Sequence, residues 1–332
     1  MQPSIYDFLF RFSSVLWEAM PFVVLGALVA GILEEFLPQT LLTRLLPKSV
    51  LPAVMIGAVL GLLFPMCECG IVVVMRRLLR KGLPLSCCVA YMLAGPIING
   101  VVIFSTWVAF QGHGIGPEMV GLRVGFAFVI ACLTGLVVHI QFKRHGYSLL
   151  TAVTIPHAAA PEAPRPATEP DGAPPARPGR EPLTRRLGNI SATALHDFVD
   201  IMVFLILGCV LAALARQYIT EKEILAISRD QPFLAIPAMM LLAVVMCLCS
   251  EADAFVAASF TKMHLSAKVA FLVLGPMLDL KLLLMYTRVF RTRLIVTIVT
   301  CVVLQVLVLC FALHLLYRLN NWTGLPPGAA LG

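Results

Sequence analysis

Pro65-Met66-Cys67-Glu68-Cys69-Gly70 sets two thiols and a carboxylate at the end of the apolar run 50–66. Met246-Cys247-Leu248-Cys249-Ser250-Glu251-Ala252-Asp253 repeats the pattern inside a second such run, 233–250. Each is followed at the same distance by another interruption, Gly95-Pro96-Ile97-Ile98-Asn99 and then Gly275-Pro276-Met277-Leu278-Asp279. On a continuous helix residues i and i+2 point about 200° apart, so both thiols of a Cys-x-Cys pair face one site only where the backbone leaves the helix. Pro65 and Gly70 are expected to supply that departure in the first half, and Ser250 with the acids after it in the second. Gly95-Pro96 and Gly275-Pro276 read as helix breaks of the same kind, because proline removes a donor and clashes with the preceding turn.

The surroundings make these segments costly. Of 332 residues, 59% are hydrophobic and only 13% charged, and the mean hydropathy is +0.91. Soluble domains run at about 25% charged, so the fold class is an all-α polytopic membrane protein. Apolar blocks of roughly bilayer-spanning length fall at about 14–36, 50–66, 84–110, 119–141, 198–217, 233–250, 266–287 and 293–317. That gives about eight transmembrane helices, or eight to ten if 67–80 adds a short one. The first block holds Glu18 and Pro21 and reads as a retained helix rather than a cleaved leader.

Residues 143–194 differ from both flanks. His157 to Pro182 is dominated by Ala, Pro and scattered Arg and Glu, a composition that cannot bury enough apolar surface to fold. The chain therefore divides into a first membrane repeat (1–142), a disordered linker (143–194), a second membrane repeat (195–320) and a flexible tail (321–332). Lys143, Arg144, Arg180, Arg185 and Arg186 place the linker in the cytoplasm by the positive-inside rule. Arg76, Arg77, Arg80 and Lys81 read as an anchor on that side, whereas counting spans sends Arg288, Arg291 and Arg293 to the other. No basic face suited to nucleic acid is visible; the expected surroundings are a bilayer.

The halves are related. A shift of 180 residues aligns Leu62, Met66, Cys67, Cys69, Leu85, Ser86, Val89, Ala90, Gly95 and Pro96 with identical residues, the signature of duplication. Phe22–Gly26 also resembles Phe204–Gly208 at a slightly different offset, bringing Glu18 opposite Asp200. Duplicated halves with broken helices are a common build of secondary transporters, with the site near the midplane. Four spans per half make the repeats parallel and five invert them; the sequence leaves both open.

Asp at a helix centre costs about 2.5–3.5 kcal/mol on insertion scales, so Glu68, Glu251, Asp253 and Asp279 are candidate site residues, with Asn99 at the position matching Asp279. Asp279 has a plainer alternative role, pairing with Lys281 or Lys268. Thiolates select soft ions, which makes Cys67, Cys69, Cys247 and Cys249 candidate ligands for a metal ion or trivalent arsenic. Cys87, Cys88, Cys132, Cys209, Cys301 and Cys310 lack that context and read as packing. His139, His264 and His314 read as isolated helix-end or interface residues. No phosphate-binding loop, zinc-protease motif or nucleophile elbow is present in the sequence, so the chain is expected not to be an enzyme. No bound cofactor is expected, a metal or metalloid being cargo instead.

Pro65–Gly70, Arg77-Leu78-Leu79-Arg80-Lys81-Gly82 and Gly95–Asn99 resemble motifs of the bacterial permease family that includes the ArsP-type organoarsenical efflux permeases. Cys249–Phe255 and Gly275–Lys281 resemble its second-half motifs. Relatives often carry proline where Val73 and Gly100 stand here. The resemblance is greatest to a branch of two-component permease subunits, and it implies a multi-pass protein of the bacterial inner membrane with a small membrane partner subunit, or a homo-oligomer. Efflux of a small thiophilic solute is the activity it suggests; a scaffold subunit without transport of its own is the alternative.

Overall fold

The computed structural model describes residues 5–36, 49–151, 154, 183–218, 232–261 and 263–320. Most of the expected linker and the tail 321–332 lie outside them. Among the described residues there are twelve α-helices and no strand. In chain order they are α1 (Ile5–Phe36), α2 (Val50–Val59), α3 (Glu68–Arg80), α4 (Leu85–Ala94), α5 (Gly100–Gln111) and α6 (Gly116–His145). The second half holds α7 (Leu183–Tyr218), α8 (Pro232–Met246), α9 (Asp253–Ser259), α10 (Leu265–Met277), α11 (Leu280–Val289) and α12 (Thr292–Leu319).

Long helices wrap short ones. Among the described residues five stretches are long and apolar enough to cross a membrane: Ile5–Ile32, Gly116–Leu149, Ile190–Ala215, Leu265–Val289 and Thr292–Leu319. Their outer faces expose Trp17, Val24, Leu133, Leu207, Leu304 and Val308, a surface that lipid covers without penalty. Every residue of α4 and α10 is buried, and so is all of α3 up to Leu79. Polar and broken backbone is thus confined to the interior, where protein groups satisfy it.

The breaks fall close to the sequence signals but not always on them. Before Pro65 the chain ends α2 in a 3-10 turn, Leu60–Leu62, and Cys67 is extended (φ −72°, ψ 170°) before α3 begins. Gly70 does not break anything; it lies inside α3, where its missing side chain lets α1 approach. A Cβ on Gly26 would stand 2.7 Å from the Gly70 Cα. The second Cys-x-Cys break is made at Cys247 itself, whose φ of +47° is in the left-handed region that a non-glycine residue rarely adopts. Gly95 and Pro96 begin the turn between α4 and α5, whereas Gly275 and Pro276 remain helical and the chain breaks two residues later, at Leu278-Asp279. The expected spans 84–110 and 266–287 are each two helices in line.

Contacts at the two ends give the helix directions. Asp200 on α7 accepts from Arg76 on α3 and from Arg288 on α11. The Thr151 N–H donates to Val289 O, and the Arg291 N–H to Leu149 O. All these basic segments therefore share one end, and the expectation that Arg288, Arg291 and Arg293 lie opposite Arg76 is corrected. Arg76 is a buried ion-pair partner rather than a surface anchor. At the other end Tyr317 donates to Glu118, and His264 and His314 meet edge to face with ring centroids 4.5 Å apart, so these histidines are not isolated. It follows that α6 runs toward the arginine end and α12 away from it. In the same way α3 and α11 run from the centre to the arginine end, while α5 and α9 run from the centre to the histidine end.

α7 crosses α11 with its glycine against the backbone: a Cβ on Gly208 would stand 2.6 Å from the Lys281 Cα. Gly208→Ala is therefore expected to lower stability by roughly 1–3 kcal/mol. Gly125→Ala, which meets open space, is expected to leave stability unchanged or raise it by up to about 1 kcal/mol. Thermal unfolding of the purified protein reads both.

Candidate functional site

The starts of α3 and α11 meet at the centre of the bundle. Glu68 is the first residue of α3, and Asp279 is the N-cap of α11, its Oδ1 accepting from the Leu282 N–H at 2.6 Å. A capping carboxylate satisfies one of the free donors at a helix start and is favoured by the helix dipole. Lys281 rises from the first turn of α11 between the two acids. Its Nζ is 2.9 Å from Glu68 Oε1 and 3.5 Å from Asp279 Oδ2, and it donates to Cys247 O at 3.1 Å. All three side chains are at most 1% exposed. Of the two partners weighed for Asp279, the structure takes Lys281. Lys268 lies elsewhere, its Nζ 5.8 Å from the centre of the Phe110 ring.

The thiols gather around this ion cluster unequally. Cys67 lies against both Cys249 and Cys69, and Cys69 and Cys249 also lie near Lys281. Cys247 adjoins the same ion cluster apart from the other thiols: its Sγ donates to Val244 O at 3.3 Å and lies by Asp279 and the backbone N–H groups of Leu280 and Lys281, while its carbonyl faces Lys281. Of the four thiols expected to converge, Cys67, Cys69 and Cys249 adjoin one another, and Cys247 reaches the cluster at the start of α11. Among the described residues no cluster of three or more His, Cys, Asp or Glu side chains is arranged to hold a metal ion. All ten cysteines are free thiols. Cys209, read from the sequence as packing, stands on α7 near Lys281, Cys69 and Asp279. It is one residue from Gly208, which the Phe22–Gly26 resemblance had already marked.

A second buried pair ties the halves together nearer the histidine end. Arg123 on α6 reaches Asp253, the first residue of α9, at 2.7 Å, and also donates to Ser250 O at 3.1 Å and Thr106 Oγ1 at 2.7 Å. Nothing in the sequence patterns singled out Arg123, an arginine inside an otherwise apolar span. The intramembrane charge rule that found Asp253 applies to it equally. Glu251 is half-buried and accepts from Ser250 Oγ at 3.5 Å. Asn99 caps α5, its Oδ1 accepting from the Val102 N–H at 2.9 Å and its amide donating to Gly95 O and Pro96 O. Its polar atoms thus hold the turn between α4 and α5.

Broken helices inside an apolar-faced shell of long helices, with buried charges where they meet, define a polytopic helical membrane protein. The chain belongs to the ArsP_1 family, described as predicted permease, which it matches over residues 5–315. It is 36% identical over 297 residues to "UPF0718 protein YcgR" of Bacillus subtilis (strain 168), covering 89% of this chain and 93% of that protein. It is also 31% identical over 308 residues to a "Putative two-component membrane permease complex subunit" of Streptococcus mutans serotype c, covering 92% and 95%. No solved structure matches.

Arg123→Met is expected to destabilise the protein by about 3–5 kcal/mol by leaving Asp253 charged and unpaired, and Arg123→Met with Asp253→Leu to recover most of that loss. Unfolding of the two variants in detergent checks it.

Proposed function

We propose that this protein is a permease whose central site holds a small thiophilic solute, a metal ion or trivalent organoarsenical, between Cys67, Cys69 and Cys249. The single observation behind this reading is that these thiols adjoin the Glu68–Lys281–Asp279 cluster at the junction of the broken helices. Sulfur supplies affinity for soft cargo. Lys281 offsets the charge of thiolates as they form, and the acids offset the charge of a cationic cargo. A trivalent arsenical bonds to two or three sulfurs at once, which suits three neighbouring thiols better than a closed tetrahedral centre does. Asp253 and Glu251 lie on the other side of the Cys249 link and would respond to movement of α9 rather than touch the cargo first.

Several features support two inverted, duplicated halves. The caps Asn99 and Asp279 are equivalent, α4 and α10 start at Leu85 and Leu265, and α6 and α12 run in opposite directions. Inverted repeats give a transporter two related conformations, each open to one side. In this reading the arginine end faces the cytoplasm of a bacterial inner membrane. The ion pairs of Asp200 then close the cytoplasmic route between α3 and α11.

The Streptococcus mutans relative's description favours a second reading, in which this chain works as one subunit with a small membrane partner. Recovery of a stoichiometric membrane partner, together with no flux by the chain alone, would support it.

Flux in reconstituted vesicles tests the main reading across zinc, copper(I) and a trivalent phenylarsenical. Serine at Cys67, Cys69 and Cys249 together is expected to abolish flux, and Cys247→Ser to leave most of it. Wild-type flux by the inserted triple variant sinks the thiol site.

A further inference from the structure

The Lys281 ammonium sits where a free cation would sit. Three oxygens from three chain segments surround it: Glu68 Oε1 at 2.9 Å, Cys247 O at 3.1 Å and Asp279 Oδ2 at 3.5 Å. Glu68 Oε2 is buried, belongs to the same carboxylate and has no hydrogen-bond partner. The third oxygen comes at a conformational cost, since it is the carbonyl of Cys247, held at φ +47°. Strained backbone of this kind persists where the surrounding structure requires it, and it clusters at functional sites.

The donor chemistry differs from that of the thiols alongside. Two carboxylates and a carbonyl form an oxygen-only set, which suits hard cations, whereas soft cargo goes to sulfur. Charge also favours a cation: two acids and one ammonium leave the cluster one positive charge short of neutrality. The titratable groups facing Lys281 are Glu68 and Cys69 on α3, Asp279 at the cap of α11, Cys247 and Cys249 in the link before α9 and Cys209 on α7.

We propose that Glu68, Asp279 and the Cys247 carbonyl form a coupling site for a small hard monovalent cation, sodium being the first candidate, and that Lys281 is its tethered competitor. This deepens the permease reading by adding a second, chemically distinct ion beside the thiophilic cargo. When the site is empty the ammonium fills it and binds α3 to α11. A cation that enters takes over the oxygens, releases Lys281 from Glu68 and loosens those two helices. The same helices carry Arg76 and Arg288 at their far ends, both held by Asp200. Cation occupancy at the centre and closure of the arginine end are therefore linked through two rigid elements.

Sodium binding to the purified full-length chain in detergent tests this, with choline chloride holding ionic strength constant. Removing a competitor removes its penalty on apparent affinity, so Lys281→Met is expected to bind sodium about tenfold more tightly than wild type or better. Adding Glu68→Gln to Lys281→Met is expected to abolish the gain. A folded Lys281→Met protein with no tighter sodium binding overturns the proposal. Should that variant prove too unstable to purify, Lys281→Gln keeps an amide donor beside Glu68. Its melting temperature is then expected to rise in sodium relative to choline, and equal melting in both salts overturns the proposal. Cargo flux is no part of this readout, so the thiol site and the cation site can fail separately.

Discussion

One ammonium shared by two carboxylates at the middle of the bundle constrains everything around it. Burying three charges in an apolar interior is unfavourable unless they neutralise one another and find hydrogen bonds. Lys281 meets that condition by reaching Glu68, Asp279 and the Cys247 carbonyl at once. Each contact fixes a piece of backbone: the first turn of α3, the cap of α11 and the unwound link after α8. α7 is held against the same point because Gly208 allows it to touch the Lys281 backbone. The broken helices and the ion cluster are thus one feature, since the breaks provide the helix starts and carbonyl that the charges need.

From that centre the fold extends in two directions with different chemistry. Toward one end, α3 and α11 carry Arg76 and Arg288 to a single carboxylate, Asp200. Toward the other, α5 and α9 lead to histidines, Tyr317 and Glu118, with Arg123 and Asp253 partway along. Opposite helix directions place one short helix of each half on each side of the centre, so the two sides carry different sets of polar contacts.

Composition made the membrane class legible, and the 180-residue offset marked every segment that later proved to be a break. Glu68, Asp279 and Asp253 were legible because acids at membrane depth demand partners. The partners were harder to read. Lys281 was one of two choices for Asp279, and its contact with Glu68 spans two halves, so no local pattern reports it. Arg123 falls under the same intramembrane charge rule but lies outside the repeated motifs, its position at the 180-residue offset being Val303. Gly70 was misread because a glycine that permits close packing and one that breaks a helix look the same in sequence. Span counting misplaced Arg288 because it treated 233–250 as a full crossing, whereas α8 stops at the central cluster after Met246 and α9 turns back to the histidine end. Cys247 shows the limit most clearly: Cys67, which it matches at the 180-residue offset, meets other thiols, whereas the Cys247 Sγ meets Val244 O and the start of α11.

The claim that Lys281 joins the two halves through Glu68 is tested most directly by a double-mutant cycle on unfolding in detergent, using Glu68→Gln, Lys281→Gln and both together. Residues in contact within one buried ion network show coupling of roughly 0.5–3 kcal/mol, and this pair is expected at the upper end, with the double variant more stable than the sum of the two losses implies. Strictly additive losses would show that the two side chains do not meet, and the site built around them would be wrong.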